Sequence, residues 1–298
     1  MNSLSAVFFY EWRRTLTFAR LGWWFVLAMF PVAITFMIRR QPRFAAGMRP
    51  DEIATVWSIV FYLLIPSVCC MLGVFLNAAP AIASELEQRS WIYLATRPRG
   101  VMWMMLGKFL VAVVWAVTSA VLSITLATIV SQMDFAAWRG AETVSEGLIR
   151  LFSSSLTETL YSDQSPAIFR TWWTMVRLSI LSACAYSALF LMIGASFPNR
   201  SMVFSVGYVA LVEVVLSLIP AVINRITVQY RLRSLMINWA DPVRRDQMQG
   251  NMFFKYVFAD GGNTEQILWL IGLTVCFLGA ALLIAEKREF TSAAESDI

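Results

Sequence analysis

The sequence predicts an all-α, polytopic membrane protein with six transmembrane helices, an N-terminal interfacial helix and a charged helical connector after the second span. Three observations carry this. Hydrophobic residues make up 58% of the 298 positions and charged residues only 14%, with a mean hydropathy of +0.64, which a soluble chain of this length does not reach. The apolar residues fall in long runs matching the ~20 residues needed to cross a hydrocarbon core. Pro, Gly and charged residues gather between those runs.

The elements follow in order. Residues 1–20 read as an interfacial helix: Leu4, Phe8, Trp12, Leu16 and Ala19 recur at helical spacing, with Arg13, Arg14, Thr17 and Arg20 largely opposite. The segment lacks the short apolar region and small-residue cleavage site of a signal peptide, and the surroundings of Arg13-Arg14 do not suit a twin-arginine signal. Spans are expected over 21–38, 53–84, 101–130, 173–197, 201–223 and 267–285. The second is too long for one upright crossing, and Pro66 and Pro80 allow either a kink or a break. Only Pro198-Asn199-Arg200 separates the fourth span from the fifth, so those two run as antiparallel neighbours.

Two longer connectors carry amphipathic patterns. Leu148, Phe152, Leu156 and Leu160 repeat every four residues beside Glu146, Ser154 and Glu158. Leu232, Leu235, Met236 and Trp239 lie near Arg231, Arg233, Arg244 and Arg245, a pattern that predicts a helix at headgroup depth. All 298 residues form a single transmembrane domain, without an internal repeat.

Charge and chemistry narrow the function. The net charge of +5 is spread over loops and span ends, so anionic lipid, not nucleic acid, is the expected counter-charge. The four cysteines, Cys69, Cys70, Cys184 and Cys276, sit in apolar segments and lack metal or disulfide spacing. With no histidine, and intramembrane charge limited to Glu213, Arg177 and Lys108, no catalytic or metal site is expected. Glu213 and Arg177, on adjacent helices, are expected to pair as a structural clasp, because an unpaired charge at mid-bilayer costs roughly 2.5–3.5 kcal/mol. Gly107-Lys108 is not a phosphate loop: Met102 and Phe109 stand where a glycine and a Ser or Thr are required. Lys108 is instead expected to snorkel toward the headgroups.

The connector at 85–100 is the most distinctive stretch. It carries Glu85, Glu87, Arg89, Arg97 and Arg99, the helix-breaking pair Pro98 and Gly100, and then Gly107-Lys108 at the start of the next span. This arrangement resembles the cytoplasmic loop of type-2 ABC exporter permeases, in which an acidic helix, a basic Pro-containing turn and a Gly-Lys pair occur in that order. The chain departs from the family pattern at Arg89-Ser90-Trp91, where a Gly-Thr step is expected.

The resemblance implies a transport subunit with no nucleotide site of its own. ATP and Mg would be bound by a partner ABC ATPase that docks on a cytoplasmic coupling helix, with Glu85, Glu87, Arg89, Arg97 and Arg99 forming the docking surface. It also implies a second permease copy, identical or paralogous, a multi-pass location in the cell membrane, and both termini cytoplasmic. Charge alone does not orient the chain, since Arg39, Arg40, Arg43 and Arg49 crowd a short loop that this topology places outside. The alternative is a non-catalytic multi-pass scaffold or assembly factor. A channel lacks a filter motif here, and the transported substance is left open.

Overall fold

A computed structural model of the chain describes residues 3–41, 50–87, 99–133, 149, 153–157, 165–216, 227–240 and 262–287, and among them there is helix but no strand. Five helical stretches are long and apolar enough to cross a membrane: Phe18–Arg40, Ile53–Leu86, Gly100–Ser131, Pro166–Ser196 and Asn263–Lys287. This is the architecture of a multi-pass helical membrane protein. The expected fifth span begins as described, as α8 (Ser201–Tyr208) and a π-helical stretch (Val209–Leu216), but its remainder lies outside the described residues.

The chain opens with α1 (Ser3–Thr15) and α2 (Phe18–Arg40), joined at Leu16-Thr17. The second span is a composite of α3 (Pro50–Tyr62), a π-helical stretch (Leu63–Cys69), α4 (Cys70–Ala78) and α5 (Ala81–Glu87). The two prolines act differently. Pro66 removes one backbone donor inside the helix, and the wider π turn absorbs that loss without ending the helix. The Pro66 carbonyl accepts a 2.6 Å hydrogen bond from Ser182 Oγ. Pro80 instead marks the turn between α4 and α5.

Next come α6 (Gly100–Ser131) and α7 (Ser165–Ser196), which are the two longest helices, and after α8 follow α9 (Val228–Ala240) and α10 (Asn263–Lys287). The core centres on α7, which packs on α4, α6, α9 and α10 and buries Leu178, Tyr186, Leu189, Phe190 and Leu191 completely. Small residues permit close approach: a Cβ on Gly194 would stand 3.0 Å from the Ala79 carbonyl oxygen. At one end of the bundle Arg39 Nε donates to the Met133 carbonyl at 3.0 Å, so α2 and α6 end together and run in parallel.

Helix α9 is folded into the bundle, where Leu232 and Leu235 are fully buried and Arg231 is 6% exposed. Arg231 Nη1 donates to Gln266 Oε1 at 2.7 Å, and its guanidinium lies 5.0 Å from the Trp269 ring centre, which fastens α9 to α10. Gln229 Oε1 accepts from Tyr62 Oη at 2.9 Å and from Ser67 Oγ at 3.0 Å, fastening α9 to the π-helical stretch. Replacing Gln229 with Leu removes the buried side-chain acceptor that these two hydroxyls share and is expected to cost about 1–3 kcal/mol, read as a lower melting temperature in detergent. Of the amphipathic pattern over 148–160, only residues 149 and 153–157 are described, the latter as helix.

Candidate functional site

Four charged residues from three helices meet at the end of the bundle where α6 begins. Lys108 Nζ donates to Glu85 Oε1 at 2.7 Å and to Glu11 Oε2 at 3.2 Å, and Arg14 Nη1 is bonded to the same Glu85 oxygen. Glu85 is 2% exposed, Glu11 7% and Lys108 8%, so the cluster is built inside the protein. Two cations face two carboxylates and the set is neutral, as burial demands.

Local sequence places each member. Gly107 lets α1 approach closely: a Cβ there would lie 2.7 Å from Val7 Cγ1. One turn beyond Val7 on α1 is Glu11, and the residue after Gly107 is Lys108, so the small residue brings the charged pair into register. Thr15 completes the inward face of α1, its Oγ1 donating to the Glu11 carbonyl at 2.7 Å. Alongside, Trp12 packs on Trp115 at 5.7 Å between ring centres, and Trp115 packs in turn on Trp24 at 6.2 Å. Phe9 and Tyr10 point outward and are well exposed.

The structure revises several of the sequence-derived roles. Lys108 does not snorkel; it has two buried carboxylates within reach and is held by them. Glu85, expected on an exposed docking surface, turns inward. Glu87 is the last residue of α5, and Arg99 is exposed with φ of 59°, a left-handed conformation that costs a non-glycine residue roughly 1–2 kcal/mol. Arg89 and Arg97 lie outside the described residues.

The expected clasp between Glu213 and Arg177 does not form. Arg177 is exposed and lies over two indole rings, 5.1 Å from the centre of Trp173 and 5.7 Å from that of Trp239. Glu213 is 4% exposed and accepts from the backbone N–H of Gln229 at 3.2 Å and from Tyr208 Oη at 3.4 Å. The folded-in helix α9 supplies what the guanidinium was expected to supply.

Glu11 was not singled out from the sequence, although it is the lone acid within the apolar run of α1 and Lys108 is the lone cation of α6. Those two solitary charges were the available signal. Among the described residues no group of three or more His, Cys, Asp or Glu side chains is arranged to hold a metal ion. Comparison of the chain with protein-family models, curated proteins and solved structures returns no match.

Proposed function

We propose that the chain is the membrane-spanning subunit of an ATP-driven exporter, with a separate ABC ATPase pressing on the loop between α5 and α6. The observation that carries this reading is the buried Glu85–Lys108 bond, which staples the two stems of that loop together while Glu11 and Arg14 brace them from α1. A force applied to residues 88–98 then moves α1, α5 and α6 as one body. A loop with loose stems would absorb the same force in side-chain motion. In this reading α5 is the coupling helix, α1 lies at the inner interface, both termini are cytoplasmic, and residues 201–223 make the fifth of six crossings.

The charges that face the ATPase are then Glu87, Arg89, Arg97 and Arg99, and Glu85 serves the fold. ATP and Mg belong to the ATPase, and a second permease copy shares the substrate path. The test is purification of the tagged chain from its own membranes in mild detergent, with mass spectrometry and an ATPase assay. A stoichiometric ATPase is expected to be retained, and to be lost in Arg97→Glu/Arg99→Glu while the melting temperature stays unchanged. Glu85→Gln is expected to lower the melting temperature. Absence of any ATPase would favour a scaffold.

A further inference from the structure

Glu11, Glu85 and Glu213 are the buried carboxyl groups among the described residues, and they are not alike. Glu11 and Glu85 each accept from Lys108. Glu213, midway along the 201–223 stretch, has no basic side chain within ion-pair distance among the described residues. Helix α9 gives it a hydrogen bond, from the Gln229 N–H to Oε2, but no positive charge. A bare carboxylate enclosed in this way inside a membrane is costly, so the group needs a counter-charge or a proton.

The titratable groups that face Glu213 are hydroxyls. Tyr208 donates to Oε1, Tyr186 faces the same carboxyl from α7, and Tyr62 lies beyond Gln229 at the end of α3. Arg233 of α9 acts on Tyr62 and forms no ion pair with Glu213. Tyr186 is completely buried, and its Oη has no hydrogen-bond partner among the described residues. A carboxyl without a counter-charge therefore stands against a hydroxyl without a partner, and one proton satisfies both.

We propose that Glu213 is an intramembrane proton-binding site, held as the neutral acid, with the proton on Oε1 donated to Tyr186 Oη. Oε2 is the carbonyl oxygen, because it already accepts from a backbone N–H that cannot turn away. That same N–H opposes a metal ion, which would have to displace it. The proton has a structural reach. Gln229 bonds to Glu213 in one π-helical stretch and to Ser67 in the other, so the neutral acid allows α9 to hold both stretches together. Ionisation would set an unpaired charge at that junction, and π-helical turns are where helices yield. The site stands independently of the exporter reading.

The test is infrared spectroscopy of the full chain in lipid vesicles at neutral pH, in the region where the carbonyl of a protonated carboxyl absorbs. The parent is expected to show such a band, shifted in D2O and absent from Glu213→Gln. Tyr186→Phe is expected to keep the band and move it to higher frequency, since the acceptor of the acid proton is gone. Glu213→Gln has the shape of the neutral acid and an N–H where the acid has its O–H, so it is expected to melt as the parent does. A carbonyl region unchanged by Glu213→Gln shows an ionised carboxylate and overturns the proposal, as does a large fall in the melting temperature of that variant. A band left in place by Tyr186→Phe overturns the assignment of the acceptor. Loss of the parent's band on adding sodium chloride overturns the proton in favour of an alkali cation.

Discussion

Replacing Lys108 with Met is expected to give the largest loss of stability of any single change at the charge cluster, about 3–5 kcal/mol. The methylene stem survives in Met, so packing is nearly conserved and the loss is electrostatic. Glu11 and Glu85 are left facing each other, buried, with the Lys108 ammonium between them gone and Arg14 still bonded to Glu85. One carboxylate must then take up a proton or pull out toward water, and either route loosens α1 or α5 from α6. Adding Glu11→Gln to Lys108→Met removes the uncompensated charge, so the double variant is expected to recover part of the lost stability. Thermal melting followed by tryptophan fluorescence in detergent reads both. An unchanged melting temperature in Lys108→Met would show that the bonds seen between these side chains contribute nothing to the fold.

The second large effect is expected from Gly107→Leu. Even a Cβ at this position would lie 2.7 Å from Val7 Cγ1, inside the contact distance that side chains tolerate, so a leucine forces α1 off α6. Overpacking of this kind costs about 1–3 kcal/mol, and the displacement also separates Glu11 from Lys108, adding part of the loss described above. The readout is limited trypsin digestion, with cutting at Arg13 and Arg14 expected to accelerate as α1 detaches. Gly22→Leu is the control, because nothing lies within 4 Å of a Cβ there and α1 is expected to stay seated. Equal acceleration in both variants would mean that Gly107 has no special place in holding α1.

The contrast between α1 and the spans explains what sequence reading captured. Periodicity placed a helix over the first residues, which the structure contains, but it assigned the inward face to the apolar residues alone. The face on α6 runs through Val7, Glu11 and Thr15, and it includes a carboxylate because a lysine waits opposite. Phe9 and Tyr10, apolar but exposed, show the converse. Around a membrane protein an outward aromatic has a suitable environment, so hydropathy does not mark the core. Arg177 and Glu213 failed as a pair for a related reason: adjacency of two helices does not fix the depth or rotation of their side chains, and α9 reached Glu213 from elsewhere in the chain.

The sequence by itself determined the class of this protein, the positions of its long apolar helices, the turn at Pro198 and the charged connector after the second span. All of these are local sums over neighbouring residues, and hydrocarbon thickness alone turns such sums into structure. Only the tertiary structure decided that Glu11 and Lys108, far apart in the chain, share a bond, that Glu85 faces inward, and that α9 folds into the bundle. Those outcomes depend on which helix faces meet, and a few ångströms of side-chain reach, set by residues such as Gly107, separate a buried ion pair from a lysine in the headgroups.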